Sequence, residues 1–184
     1  MANKKKKITS DLTIVDNFVE EALFKEIQEA FFHTDTSWHF TPNISDNDST
    51  NALKNPLNNY YFTHLLYKDY ESASSFNRRF MDIMIPALNQ KLGFNFNAIT
   101  RIKANMYTRT EELQIHPWHV DSNNKTQMGA LLMMNTCDGF TGFADGSQVD
   151  TIENRMVFFD ATERHHSTNC TNDQFRMTVN INYV

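Results

Sequence analysis

The chain has 184 residues, 40% of them hydrophobic and 12% aromatic, and a formal net charge of −5. That length supports a real core without disulfide staples, and no apolar run approaches the roughly 20 residues that a membrane span needs. The acidic balance disfavours sequence-independent nucleic-acid binding, which draws on counterion release by basic surfaces.

Residues 1–10 include Lys4 to Lys7 and are expected to form a basic, disordered tail. A signal peptide would need an apolar stretch after those lysines, where the chain instead reads ITSDLTIVDNF; the expected location is cytoplasmic. Residues 11–184 read as one domain, with a helical buttress and loop over 11–95 and a β-rich core over 96–184. Within the first part, Asp16 to Phe32 places Phe18, Leu23, Ile27 and Phe31 near helical spacing. Thr34 to Asn59 is rich in Thr, Ser, Asn, Asp and Pro and predicts a long loop. With Trp38, Phe40 and Tyr60 as exposed aromatics, the segment from Thr34 to Tyr61 is a candidate substrate mouth. A second helix is predicted over Ser72 to Leu92, where Phe76, Phe80, Ile83, Met84 and Leu88 share a face, Pro86 is a kink candidate and Gly93 supplies the stop.

Beyond Gly93 the texture changes to short β-branched and aromatic runs: Ile99 to Arg109, Leu113 to Val120, Gln127 to Asn135, Met156 to Asp160 and Phe175 to Val184. Helices followed by many short strands predict an α+β fold, a sheet sandwich or barrel buttressed by helices on one side. Gly139, Gly142 and Gly146 are assigned to turns, and Met128, Met133, Met134, Met156 and Met177 to core filling. Cys137 and Cys170 lack a CxxC spacing and are expected to be reduced thiols.

The chemistry concentrates in this second half. His119 and Asp121 flank Val120 at the end of a predicted strand, and residues two apart on an extended chain point to the same side. A His-x-Asp is commonplace by itself, but His165 follows the apolar MVFFD run and Arg176 opens the final strand. Two imidazoles and one carboxylate on one face suit iron(II) and leave coordination positions open. A co-substrate with a remote carboxylate would find its cation in Arg176, whose planar fork binds such groups through two hydrogen bonds, with the hydroxyl of Thr178 close by.

From about Ile99 to Tyr183 the sequence resembles the prolyl-4-hydroxylase-like branch of the 2-oxoglutarate/iron(II) oxygenases. The resemblance is carried by WHVD (118–121), NTCDGFTGF (135–143), NRMVFFD (154–160), His165 and RMTVNINY (176–183). It implies a double-stranded β-helix core of the jelly-roll or cupin type. It further implies iron(II) held by His119, Asp121 and His165, and 2-oxoglutarate held through its far carboxylate by Arg176 and Thr178. Tyr107 takes the place of a tyrosine that touches the co-substrate in that family. The register of the family pattern selects His165 over His166, which is expected on the rim or outer face. One departure stands at Met133, where the family often has a tyrosine.

The activity implied is a dioxygenase that hydroxylates a substrate with O2 and 2-oxoglutarate, releasing succinate and CO2, with ascorbate as a supporting reductant. A prolyl residue or free proline is the first expectation for the substrate, within a wider class of peptides and small molecules. Two other readings compete with it: a catalytically silent metal-binding module of the same fold, and a zinc hydrolase, in which Arg176 would have no purpose. His116 is expected in a loop or on the rim, and His33, His39 and His64 are not expected to bind metal.

Overall fold

The computed structural model describes residues 12–44, 56–93 and 96–184. Its strands are β1 (Thr13–Val15), β2 (His39–Thr41), β3 (Tyr61–Lys68), β4 (Glu71–Ser72), β5 (Ile99–Thr108), β6 (Met128–Met133), β7 (Phe140–Phe143), β8 (Gln148–Asp150), β9 (Met156–Asp160), β10 (His165–Ser167) and β11 (Phe175–Tyr183). Helix α1 (Glu21–Phe32) follows β1, and α2 (Asn77–Leu92) follows β4.

Eight strands form one antiparallel sheet in the order β1-β9-β6-β11-β5-β3-β2, with β4 added beside β3; β10, β7 and β8 form a smaller sheet. This is the double-stranded β-helix arrangement, and it places β11 at the centre of the large sheet between β5 and β6. Period-2 alternation divides the large sheet into two faces. Ile102 and Ala104 of β5, Ala130 and Leu132 of β6, and Val179 and Ile181 of β11 join α1 and α2 in one apolar core. On the other face Leu131, Met133, Val157 and Phe159 meet Phe143 and Val149 of the smaller sheet. All of the predicted core methionines except Met128, which is only partly covered, are fully buried.

Helix α1 begins at Glu21, later than the expected Asp16. The Glu20 carboxylate caps it by accepting from the Leu23 N–H at 3.2 Å. The preceding Val19 is held instead by Asn154, whose side chain accepts from its N–H at 3.0 Å and donates to its carbonyl at 2.8 Å. Helix α2 begins at Asn77, because Ser72 pairs in β4. It ends as expected at Gly93, where φ is 60° and the N–H reaches the Asn89 carbonyl at 2.9 Å.

Two strand expectations are corrected. The segment assigned to helices and a loop also supplies β1 to β4, and β3 lies directly beside β5 in the large sheet. Leu113 to Val120 is not a continuous strand: its β-pairing is limited to isolated bridges at Ile115 and His119, and Pro117 between them has no N–H to donate. The lysine run and residues 45–55 of the expected loop lie outside the described residues. No helix among the described residues is long and apolar enough to cross a membrane.

Candidate metal centre and anion site

His119 and His165 face each other through a two-bond bridge, each N–H donating to the other's carbonyl at 2.9 Å. The bridge brings the two rings to a centroid separation of 4.4 Å. Two residues on, the Asp121 N–H donates to the Ala161 carbonyl at 3.0 Å, which turns the carboxylate back toward the pair. One ligand atom from each of His119, Asp121 and His165 lies within 4.8 Å of the others. Among the described residues this is the group with metal-binding geometry, and His33, His39 and His64 take no part in it.

The surroundings fix the donor atoms. Nδ1 of His165 meets the Glu163 carbonyl at 2.9 Å and Nδ1 of His119 meets the Pro117 carbonyl at 3.4 Å. A carbonyl only accepts, so each Nδ1 carries the proton and each Nε2 offers its lone pair to a metal. Asp121 Oδ2 accepts from the Asn180 amide at 2.7 Å and from the Asn182 amide at 3.3 Å, and Arg101 stands 3.6 Å from Oδ1. Burial favours the neutral acid of Asp121, yet His165, Arg101 and Asn180 outweigh it and keep its pKa below the usual range. Burial, reinforced by His165, lowers the His119 pKa to about 4. Asp121 is therefore a carboxylate and His119 a neutral imidazole, the protonation that divalent metals require of such ligands. Phe143 and Phe159 pack against the His165 ring and shield that side from water.

Arg176 enters the same inner face from β11 and is 1% exposed. Its Nε donates to Thr151 Oγ1 at 2.6 Å, its Nη1 to the Thr168 carbonyl at 3.1 Å and its Nη2 to Thr141 Oγ1 at 2.8 Å. Nη2 also meets Met133 Sδ at 4.0 Å; all four acceptors are neutral, and among the described residues no carboxylate pairs with Arg176. Burial lowers its pKa, opposed only by Tyr107 and by two thiols, Cys137 and Cys170. Both thiols are free, as expected. The Tyr107 ring lies 5.8 Å from the guanidinium carbon. Thr178 shares this face, buried two residues from Arg176 and paired with Asn105 and Met133.

No protein-family model matches the chain, and no curated protein matches it. Its backbone does match solved structures. A prolyl-4-hydroxylase of Pseudomonas putida superposes with a TM-score of 0.60 at 14% identity, covering 95% of this chain and 92% of that one. A prolyl hydroxylase of Trichoplax adhaerens, in complex with a peptide fragment of the hypoxia-inducible-factor degradation domain, gives 0.61 at 16% identity over 95% and 84%. A 2-oxoglutarate/iron(II) oxygenase of Burkholderia pseudomallei gives 0.62 at 6% identity over 94% and 84%. The chain has the fold of the 2-oxoglutarate/iron(II) oxygenases.

Within that oxygenase fold the metal group opens onto a cavity of about 300 Å³, walled by Lys103, Asn105, Tyr107 and Asn180 and bordered by Ile44 and Tyr61. The expected mouth segment reaches it through those last two residues, whereas Trp38 packs away on the helix side against Phe31 and His64. Two histidines are more buried than expected. His116 lies in a loop, as expected, but not on a rim: it is 1% exposed, 4.9 Å from the Tyr107 ring, with Nδ1 2.8 Å from Ser167 Oγ. His166 does point away from the metal group, but it is buried between Trp118 and Phe140 rather than exposed. Gly142 is not in a turn but in β7, where a Cβ would overlap the His166 ring.

Sequence reasoning missed Arg101, Lys103 and Asn105, and it passed over Asn180 and Asn182. The signal was present: each shares strand parity with a residue already singled out, Tyr107 on β5 or Arg176 on β11.

Proposed function

We propose that the protein is an iron(II)- and 2-oxoglutarate-dependent dioxygenase that hydroxylates its substrate with O2, releasing succinate and CO2. The observation that carries this reading is Arg176, a fully buried guanidinium with no carboxylate partner among the described residues, on the same inner face as a His-Asp-His group. Burying a cation against neutral oxygens alone costs several kcal/mol. A dicarboxylate whose other end reaches the metal removes that cost, and 2-oxoglutarate has this form. A zinc hydrolase would give the arginine no anion to meet.

His119, Asp121 and His165 would hold the iron, and iron with 2-oxoglutarate and O2 supplies the oxidising power. The protein's own work is positional. Asn180 and Asn182 hold Asp121 in one orientation, and the two backbone carbonyls hold the imidazole tautomers. Arg176 binds the far carboxylate, with Thr178 and Tyr107 beside it, while Phe143 and Phe159 keep water from the His165 side. The resemblance to prolyl hydroxylases makes a prolyl residue or free proline the first substrate to test. Ascorbate would serve to keep the iron reduced.

The test is succinate formation from 2-oxoglutarate by protein purified anaerobically and loaded with iron(II) or zinc. The expected result is turnover with iron, none with zinc, and none in His165→Ala with either metal. Hydrolytic activity with zinc that is indifferent to 2-oxoglutarate would refute the proposal.

A further inference from the structure

A second cation stands on the cavity wall with no carboxylate in salt-bridge contact among the described residues. Lys103 lies at the middle of β5, paired with Asn180 of β11 and Leu65 of β3, and lines the cavity that contains His119 and Asp121. Its ammonium donates to the Tyr61 hydroxyl at 3.3 Å and sits 5.4 Å from that ring. No carboxylate among the described residues pairs with it. Arg101, the other cation on this wall, is already engaged by Asp121 at 3.6 Å and by Asn182 Oδ1 at 2.9 Å.

Lys103 is also separate from the Arg176 site. The Tyr61 and Tyr107 rings stack at 5.5 Å, with Lys103 against the first and Arg176 against the second. Along the paired strands the two residues are four positions apart, about 13 Å of backbone at the rise of a β-strand.

We propose that Lys103 selects the primary substrate, and that this substrate is a small free carboxylic acid whose carboxylate pairs with the Lys103 ammonium beside the metal centre. The inference rests on the dioxygenase reading and names its substrate class. One uncommitted ammonium matches one monoanion. A cavity of about 300 Å³ lies at the low end of small-molecule sites, which run from about 300 to 1,000 Å³, and favours a metabolite over a polypeptide segment. The side-chain oxygens of Asn105 and Asn180, residues of the same wall, have no hydrogen-bond partner. Among small free acids the α-amino acids, which carry a donor N–H next to the carboxylate, are the first to test. Burial, aided by Arg101 and opposed by the nearby Asp121 carboxylate, lowers the Lys103 pKa to about 8, which leaves it mainly cationic at neutral pH.

The experiment titrates the protein loaded with manganese(II) and 2-oxoglutarate, in the absence of turnover. The probes are the free L-α-amino acids, L-proline included, and their primary amides. At least one free acid is expected to bind ten-fold or more tightly than its amide. Lys103→Met should abolish that preference while leaving the 2-oxoglutarate Kd within two-fold, and Lys103→Arg should restore part of it. The proposal is overturned if no acid is preferred over its amide, or if the preference survives in Lys103→Met. A ten-fold loss of 2-oxoglutarate affinity in that variant would also overturn it, by making Lys103 a co-substrate anchor. If the unmodified protein binds no 2-oxoglutarate, the dioxygenase reading fails instead, and the acid preference is then read with manganese alone.

Discussion

On β11, Met177, Val179, Ile181 and Tyr183 face the helices, while Arg176, Thr178, Asn180 and Asn182 face the smaller sheet. β5 repeats the division, with Ile102 and Ala104 on one side and Arg101, Lys103, Asn105 and Tyr107 on the other. The backbone is shared, so the difference lies in what each face needs to be complete. The helix-side face is completed by the protein itself, through apolar area withdrawn from water. The inner face is completed only in part. Among the described residues its buried cation Arg176 lacks a carboxylate partner and its Asn105 and Asn180 oxygens lack donors, a pattern that in native interiors calls for a partner such as water, an ion or a ligand.

Breaking the inner face at its centre should give the largest effect. His165→Ala is expected to lower manganese affinity by at least a hundred-fold, while His166→Ala leaves it within three-fold, since that ring is buried on the other side of β10 against Trp118 and Phe140. Metal titrations of the two variants decide the register, and the reverse order would mean that the ligand is His166.

The two faces separate further in a paired substitution. Phe80→Ala empties a fully buried site among the helices and should cost about 3–5 kcal/mol of stability in urea unfolding, with the metal affinity of the folded protein unchanged. Asn180→Ala removes the 2.7 Å hydrogen bond to Asp121 and should do the opposite: a roughly ten-fold loss of metal affinity with a small change in stability. Equal effects of both variants on metal binding would erase the distinction between the faces.

A smaller effect comes from pH. Burial, with Arg176 and His166 adding to it, holds the His116 pKa well below its usual 6.5 in the folded state. Below about pH 6.5 the unfolded chain gains a proton that the folded one refuses, so stability falls as the pH drops, by about 1.4 kcal/mol per unit for one such group. The loss levels off only below the depressed folded value. Urea unfolding of the metal-free protein from pH 7.5 to 5 should show a shallower slope in His116→Gln, and parallel slopes would contradict the assignment.

The legibility of each face in the sequence follows from the same physics. Helical spacing exposed α1 and α2, whose apolar residues repeat along one side, and the final strand was visible through its Val179, Ile181 and Tyr183 alternation. His119, Asp121, His165 and Arg176 were singled out by residue type, order and the family resemblance, and the structure brings the first three together. β2 and β3 escaped notice because His39, Thr63 and His64 dilute the apolar pattern in strands near the edge of the sheet, where burial does not enforce it. Lys103 and Asn105 escaped because a polar residue on a strand normally faces water; only the pairing of β5 with β11 reveals that theirs face a cavity. The burial of the loop residue His116 was missed because it depends on Tyr107 and Ser167, partners distant in the chain.

The central claim is that the buried, unpaired guanidinium of Arg176 awaits the far carboxylate of a co-substrate whose other end meets the metal. Calorimetric titration of 2-oxoglutarate into manganese-loaded protein tests it directly, with Arg176→Ala and the metal-free protein alongside. Saturable binding that requires manganese and weakens by a hundred-fold or more in Arg176→Ala, with succinate binding more weakly than 2-oxoglutarate, is the predicted result. Equal affinity in the unmodified protein and Arg176→Ala, or binding indifferent to manganese, would contradict it.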